Sequence, residues 1–284
     1  MHTAAVGMKK KRAVGKVLWY VLLTLFAAVY IYPVFIMVLN SFKSFGEVVS
    51  DPIAWPKVFT LQNYKDVAEK IHYIRLFFNN VMITVIGVAG IVVISSMTAY
   101  ILDRRRTRYT KLVYALAITP MLVPFQTIMI PLLKTMTTLH LAKSRAGLGI
   151  QYWGLGIPMA VFIYYNFMQS IPKELDESAR MDGASTFRTF VSVIFPLLKP
   201  VTTTVVVLDV MWIWNDFLEP LLMVNSSDKT KTLVLASYTF IGQMNTQWHY
   251  AMTAMVLTVL PSVIIFILLQ KNIINGVVAG AVKG

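Results

Sequence analysis

Long apolar runs alternate with short polar segments along the whole chain. A helix that crosses a bilayer needs about 20 mostly apolar residues, and several runs without a formal charge reach that length. One further run, 200–224, is apolar but carries the acids Asp209, Asp216 and Glu219. Together the runs predict six transmembrane spans at about 17–39, 78–101, 112–133, 149–169, 200–223 and 250–270. We therefore expect an all-α integral membrane protein: a six-helix domain over 17–270 between an N-terminal segment, 1–16, and a C-terminal tail, 271–284.

The composition supports this interpretation. Hydrophobic residues make up 57% of the 284 residues and charged residues 14%, against roughly 45–50% and about 25% in average soluble domains. One soluble core cannot hide that much apolar surface, so the excess is expected to face lipid. The chain has no cysteine, which excludes disulfides, thiolate metal sites and thiol catalysis. The net charge of +13 arises mainly between the apolar runs, which favours a membrane over nucleic acid as the partner.

The lysines and arginines predict the orientation of the chain. Basic residues at 9–12 look like the start of a signal peptide. The apolar run that follows exceeds the roughly 7–15 residues of a signal core, so we expect an uncleaved first span. If the N-terminus is cytoplasmic, most of the basic residues lie inside, and the short segment 103–111 shows the strongest bias. Six spans then place the C-terminus in the cytoplasm as well.

Prolines interrupt several of the predicted spans, and each removes a helical hydrogen bond. They are Pro33, Pro120, Pro124, Pro131, Pro158 and Pro261. Because Pro120 and Pro124 lie close together, the third span is either irregular or a helix with ordinary kinks, and the sequence leaves both open.

A polar segment, 170–196, separates the fourth and fifth spans on the predicted cytoplasmic side. Asp176 and Arg180 are four residues apart and are expected to pair across one helical turn. Gly183 can adopt the left-handed conformation that ends a helix, and Ser185 can cap the next one. We expect two short helices with a glycine elbow and a surface that docks a partner protein. A solvated loop or an interfacial helix are the alternatives, and the acidic residues disfavour the latter.

This segment resembles the EAA loop of ABC-importer permease subunits. In that family Glu-Ala-Ala is followed after three residues by Gly, and after nine more by Ile-x-Leu-Pro. Here Glu177–Ala179 precedes Gly183 and Val193–Pro196 at the same spacing, with small or apolar departures at Ser178, Val193 and Phe195. Four strings are similar to the carbohydrate-uptake, maltose-type class: IPKELDESARMDGAS, PLLKP at 196–200, WNDFLEPL at 214–221 and AGAVKG at 279–284.

The resemblance implies the type I ABC-importer permease fold and a transport role without catalysis, in a bacterial cytoplasmic membrane. It implies four kinds of partner: a homologous permease, two ATP-binding subunits, an external solute-binding protein and the sugar. ATP and Mg would be bound by the ATPase subunits, with no cofactor in this chain. The implied ATPase-coupling residues are Glu177, Ser178, Ala179, Arg180, Asp182 and Gly183. Glu177 and Asp182 are the expected polar contacts, Ala179 is expected to pack close to the ATPase, and Gly183 is the elbow.

The charges of the fifth span suggest a second site. An acid at a helix centre costs roughly 2.5–3.5 kcal/mol on insertion scales, so Asp209 and Asp216 should face the bundle interior, water or the interface. With Asn215 they are candidates for lining the path of a sugar. Helix–helix hydrogen bonds and interfacial exposure are the alternatives, and the partner permease is a further source of sugar contacts.

No other chemistry has a motif. The histidines lack metal-ligand spacing, and the glycines of 147–156 do not form a phosphate-binding loop, so neither a metal nor a nucleotide site is expected. No catalytic constellation is present. The predicted function is ATP-driven uptake of sugars. The alternative, an ion-coupled secondary sugar transporter, would need ionisable residues in several spans, and only the fifth offers them.

Overall fold

The computed structural model describes residues 2–242 and 246–281, with side chains over 15–242, 246–268 and 270. Within those ranges the chain is helical and forms no strand, which confirms the predicted all-α class. The first seven helices are α1 (His2–Ser41), α2 (Phe45–Ser50), α3 (Gln62–Lys70), α4 (Tyr73–Arg104), α5 (Arg108–Ile118), α6 (Phe125–Thr138) and α7 (Arg145–Met168). The remainder are α8 (Glu174–Met181), α9 (Thr186–Thr189), α10 (Phe195–Leu197), α11 (Lys199–Asn215), α12 (Leu218–Met223), α13 (Leu233–Ser237) and α14 (Trp248–Ala281).

Three short turns of other helical types complete these elements. A 3₁₀ turn, Thr119–Leu122, extends α5, and another, Tyr238–Phe240, extends α13. A π-helical turn, Phe190–Ile194, joins α9 to α10.

Four of the described helices are long and apolar enough to cross a membrane: α1 from Gly15, α4, α7, and α14 as far as Leu268. Two bent helix pairs meet the same criteria, which gives up to six spans when each pair is counted as one. The helix ends differ from the predicted span ends, because α1 already begins at His2 and α14 continues to Ala281. Residues 282–284 of the predicted tail lie outside the described residues.

The third and fifth predicted spans are broken rather than continuous. The helix that starts at Phe125 is bent by 105° from the direction of the helix that ends at Leu122. The bend arises because Pro124 lacks an N–H and holds an extended backbone there. The irregular form of the third span is therefore the one observed. Within the fifth predicted span, 200–223, α11 ends at Asn215 and α12 begins at Leu218, and the 77° bend lies just before this range, between Leu197 and Lys199.

The chain divides into two units, Met1–Glu69 with Thr239–Leu257, and Lys70–Tyr238 with Thr258–Gly284. In the first unit, polar side chains fix the segment that follows α1. Lys43 is buried and donates from Nζ to the carbonyl oxygens of Asp51 (3.0 Å) and Pro52 (3.1 Å). The Asn63 amide donates to the carbonyl oxygens of Ser41 and Lys43. The bond to Ser41 satisfies a carbonyl that the end of α1 leaves open, and the other three fix the segment after the helix.

In the second unit, α4 and α7 pack along each other and form the centre of the core. A side chain at Gly90 would lie 2.0 Å from the Trp153 ring, so glycine is what lets the indole approach α4. There Trp153 Nε1 donates to the carbonyl oxygen of Ile86 at 2.8 Å. Ile91 and Tyr152 are fully buried in the same interface. The pair therefore provides the fixed scaffold against which the two candidate sites are built.

Candidate functional site

The segment that resembles an EAA loop forms two short helices joined at a glycine. Acids fill the first turn of α8, where the helix dipole stabilises them. Gly183 follows with φ of +79°, and a Cβ there would meet nothing within 4 Å, so the backbone conformation alone requires glycine. The Ser185 hydroxyl accepts a hydrogen bond from the N–H of Arg188 at 3.3 Å and caps α9. The predicted glycine elbow is confirmed.

The two faces of α8 differ sharply. Glu177, Ser178, Arg180, Asp182 and Gly183 are exposed, and the neighbouring Met181 side chain is 89% exposed. These outward residues, 177, 178 and 180–183, are called the elbow face below. Ala179 lies on the opposite side and is buried. Five of the six predicted coupling residues therefore share one accessible surface, and the sixth packs into the chain itself.

Asp176 does not pair with Arg180 as predicted. Its carboxylate is buried and turns toward α4, where Oδ1 accepts from Tyr100 Oη at 2.6 Å and Oδ2 accepts from Arg104 Nε at 2.9 Å. The reason is geometric: Asp176 is on the buried face of α8, whereas Arg180 points outward. A partner 72 residues away gives no signal in the local sequence pattern.

A second carboxylate completes this cluster. Asp103 is fully buried and accepts from Arg104 Nη1 and from Arg106 Nη2, both at 2.7 Å. The hydrogen bond to Asp103 raises the pKa of Arg106. Arg104 also donates from Nη1 to the carbonyl oxygen of Ile171 at 3.3 Å. Tyr100, Asp103, Arg104 and Asp176 are called the buried cluster below.

A cavity of about 680 Å³ opens beside the break in the third span. Its walls come from the last turn of α5, the 3₁₀ turn, the start of α6, α7, α11 and α12. Most of the lining is apolar and includes the Trp212 ring, and Gln126, Asp216 and Glu219 add polar groups. None of the described residues that line the cavity is a lysine or an arginine. Its size falls within the range of small-molecule sites, roughly 300–1,000 Å³.

The end of α11 places the two acids at the cavity. Asp216 adopts an extended backbone that ends the helix, and its Oδ1 accepts from the N–H of Leu218 at 3.1 Å. Asp216 Oδ2 accepts from Tyr152 Oη at 2.7 Å, and Gln151 Nε2 donates to Glu219 Oε2. Both donors lie on α7, so hydrogen bonds from the scaffold orient both carboxylates.

The predicted path residues fall in different places. Asp216 lines the cavity, whereas Asn215 is exposed outside it and donates to the carbonyl oxygen of Met211 at 2.7 Å. Asp209 is buried elsewhere, and its Oδ2 has no hydrogen-bond partner within the described ranges. Glu219 and Trp212 were not among the predicted site residues. The signal that could have identified Glu219 is its spacing of three from Asp216 across the helix break.

In the part of the chain that the structure describes, no three His, Cys, Asp or Glu residues lie together as a metal ion would require. The prediction that the chain has no metal site stays a prediction.

Comparison with known proteins defines the class. The family model described as "Binding-protein-dependent transport system inner membrane component" matches residues 90–278, and the chain belongs to that family. Over 254 residues, covering 89% of this chain and 92% of the relative, it is 39% identical to the "Probable starch degradation products transport system permease protein AmyC" of Thermoanaerobacterium thermosulfurigenes. The chain is thus a multi-pass membrane permease that works with other subunits of an ABC transporter.

Two further relatives cover nearly the whole chain. The "Multiple sugar-binding transport system permease protein MsmG" of Streptococcus mutans is 34% identical over 97% of this chain and 100% of its own length. The "Melibiose/raffinose/stachyose import permease protein MelC" of Bacillus subtilis is 33% identical over 93% and 96%. A bacterial ABC transporter that imports the acidic polysaccharide alginate has a chain with the same fold, with a TM-score of 0.77, 22% identity and coverage of 91% and 96%.

Proposed function

We propose that this chain is the transmembrane permease subunit of an ATP-driven importer for neutral sugars and oligosaccharides in a bacterial cytoplasmic membrane. It pairs with a homologous permease, couples through its elbow face to a pair of ATP-binding subunits, and receives the sugar from an external solute-binding protein. ATP and Mg bind to the ATPase subunits, and this chain carries out no catalysis. The family and the named relatives support this role, since each relative is described as a permease of a sugar or starch-product system.

The elbow face is the observation that carries the proposal. It presents two carboxylates and a guanidinium to solvent, together with the apolar side chain of Met181. The side-chain hydrogen bonds and ion pairs described for this chain involve none of these groups, so they are available to another protein. Apolar contact ringed by charge is typical of a protein–protein interface. The short helix presents this surface on a firm base, because its other side is buried.

The cavity supports a neutral substrate. Carboxylates accept hydrogen bonds from sugar hydroxyl groups, and an aromatic ring such as Trp212 provides an apolar surface beside them. Among the residues described around the cavity there are two acids and neither lysine nor arginine, so the lining offers no basic partner to a sugar acid or a phosphate. The named relatives are described for starch degradation products, for multiple sugars and for melibiose, raffinose and stachyose.

The ion-coupled carrier considered above finds no support. None of the relatives named here is described as an ion-coupled carrier. Asp209, Asp216 and Glu219 all belong to the fifth span or the short helix that follows it.

The test is uptake by the assembled transporter in proteoliposomes. The chain is produced with its partner permease, ATPase and binding protein, and uptake of radiolabelled maltotriose and raffinose is measured with ATP inside. We expect ATP-dependent uptake of at least one of these sugars that survives collapse of the proton gradient. Uptake that needs the gradient and persists without ATP would contradict the proposal, as would failure of the chain to assemble with an ATPase.

A further inference from the structure

We infer that the buried cluster is a mechanical joint: Arg104 and Asp176 are positioning residues that fix α8 to the end of α4, so that movement of the elbow reaches the transmembrane scaffold. This inference rests on the proposed function and deepens it, because it names the groups through which ATPase movement is passed on. The elbow face, which would receive the ATPase, and the buried side of α8 are opposite sides of one short helix.

Two points of attachment hold the Asp176 carboxylate. Tyr100 Oη occupies one oxygen at 2.6 Å and Arg104 Nε the other at 2.9 Å. Tyr100 and Arg104 are four residues apart and therefore lie on the same side of α4. A carboxylate held at both oxygens by one helix resists rotation of α8 about its own axis as well as its translation. A single hydrogen bond would leave that rotation free.

Further contacts hold the chain on both sides of α8. Before the helix, the carbonyl oxygen of Ile171 accepts from Arg104 Nη1 at 3.3 Å. Beyond the elbow, the Phe190 ring packs against the Tyr100 ring with centroids 5.3 Å apart. Asp103 accepts from the same Nη1 at 2.7 Å and orients the guanidinium. The same two side chains of α4 therefore hold the segment before α8, α8 itself and the segment after the elbow.

Burial favours a positioning role over simple stabilisation. Arg104 and Asp176 are both more than nine-tenths buried as side chains. Charges removed from water carry a desolvation cost, and a well-packed apolar pair of the same volume is often at least as stable. What the ion pair adds is one defined geometry, since its hydrogen bonds are satisfied only when α8 and α4 keep their relative placement. A helix that must transmit a push needs that property.

Arg106 provides a matched control. Its guanidinium also pairs with Asp103 at 2.7 Å, but its side chain is 51% exposed and makes no hydrogen bond or ion pair to α8. Arg106→Gln thus removes an Arg–Asp pair at the same helix end and leaves the described contacts between α4 and α8 in place. Arg104→Gln removes the main link, and Tyr100→Phe removes one hydrogen bond while keeping the ring and the ion pair. Tyr100→Phe keeps the test usable if Arg104→Gln fails to fold.

The first measurement is the number of sugar molecules taken up per ATP hydrolysed, in the reconstituted transporter and per assembled complex. We expect this ratio to fall about tenfold in Arg104→Gln, which loses the contacts to Asp176, Asp103 and Ile171, and several-fold in Tyr100→Phe, which loses one hydrogen bond to a carboxylate. Hydrolysis continues in both variants, and Arg106→Gln keeps the wild-type ratio. A purely structural role would lower the amount of complex and leave the ratio unchanged, which would overturn the inference.

The second measurement needs no substrate and no partner. The chain lacks cysteine, so spin labels can be attached through Ile101→Cys on α4 and Glu174→Cys on α8 in the full chain in lipid nanodiscs. We expect a narrow distance distribution in the wild-type background and in Arg106→Gln, and a broad one in Arg104→Gln. Distance distributions of equal width in the wild-type background and in both variants would overturn the inference that the buried cluster is a joint. If the distributions have the expected widths but the wild-type transporter shows no ATP-dependent sugar uptake, the proposed function is contradicted and the inferred joint is not.

Discussion

At the residue scale, the elbow depends on local signals that a sequence shows directly. A backbone φ of +79° is strained for most residues other than glycine, so Gly183 marks the turn, and a serine two positions later caps the next helix. Both follow from neighbours along the chain and were predicted. The partner of Asp176 was not predicted, because Arg180 and Arg104 can each pair with the same carboxylate. Only the packing of α8 on α4 decides between them.

Replacing Gly183 tests the conformational requirement. We expect Gly183→Ala to strain the turn by about 1–2 kcal/mol and to lower sugar-stimulated ATP hydrolysis in the assembled transporter without changing its level in the membrane. Gly183→Asn should retain most of the activity, because asparagine tolerates the left-handed region. Gly46→Ala is the control, because a Cβ at position 46 also meets nothing within 4 Å and the φ there lies outside the left-handed range. Full hydrolysis in Gly183→Ala would show that the turn needs no glycine.

A second local structure predicts a dependence on pH. Glu47 closes a capping box at the start of α2, and its carboxylate accepts from the N–H groups of Lys57 (2.9 Å) and Ser44 (3.1 Å). These hydrogen bonds, that from Lys57 first, lower the pKa of Glu47. Because the pKa is lower in the folded loop than in an unfolded chain, the carboxylate stabilises the loop above the ordinary glutamate range. That stabilisation is lost as the pH falls through the lowered pKa.

Hydrogen exchange at the Lys57 amide measures this effect. The protection factor should fall as the pH drops below the ordinary glutamate range, and Glu47→Gln should remove that dependence. Asp228, whose pKa is lowered by a hydrogen bond from Lys231, offers a matched control, since Asp228→Asn should leave the Lys57 amide unchanged. Protection at Lys57 that stays constant with pH in the wild type would refute this role of Glu47.

At the element scale, hydrophobic runs predict which segments are spans but not where their helices break. The third run has no charge for more than 20 residues, yet its two helices are bent by 105° relative to each other. Pro120 and Pro124 allowed either a kink or a break. What distinguishes them is whether neighbouring groups satisfy the freed carbonyls, which is a matter of tertiary structure. Asp216 and Glu219 of the fifth run were visible in the sequence, but their donors on α7 were not.

Replacing the proline at the break tests its cause. Proline in a helix interior costs about 3 kcal/mol, so Pro124→Ala should favour a continuous helix, open the bend and reduce sugar uptake by closing the cavity beside it. Spin labels at Tyr109 and Thr138, one on each arm, should move apart. Pro131→Ala is the control, because α6 continues through that proline. An unchanged distance in Pro124→Ala would show that packing, not the proline, sets the angle.

At the scale of the whole molecule, the distribution of apolar surface was predictable and the mechanics were not. The side chains of α1 between Val17 and Phe35 are exposed almost without exception, whereas half of the most apolar stretch of α7 is buried. A bilayer or another membrane subunit must cover the former. Lengths and charges alone lead to that conclusion. The path from the elbow face through Asp176 to α4 joins residues that no local pattern connects.

The most direct test of the central claim is the location of the elbow face in the assembled transporter. Met181 is 89% exposed, and Met181→Cys gives a single reactive thiol because the chain has no cysteine. We expect it to crosslink to the ATPase subunit and to resist a membrane-impermeant thiol reagent applied to intact cells. Val58→Cys, in the segment predicted to lie outside, should react with that reagent. Labelling of Met181→Cys from outside, or no crosslink in an assembled complex, would contradict the account.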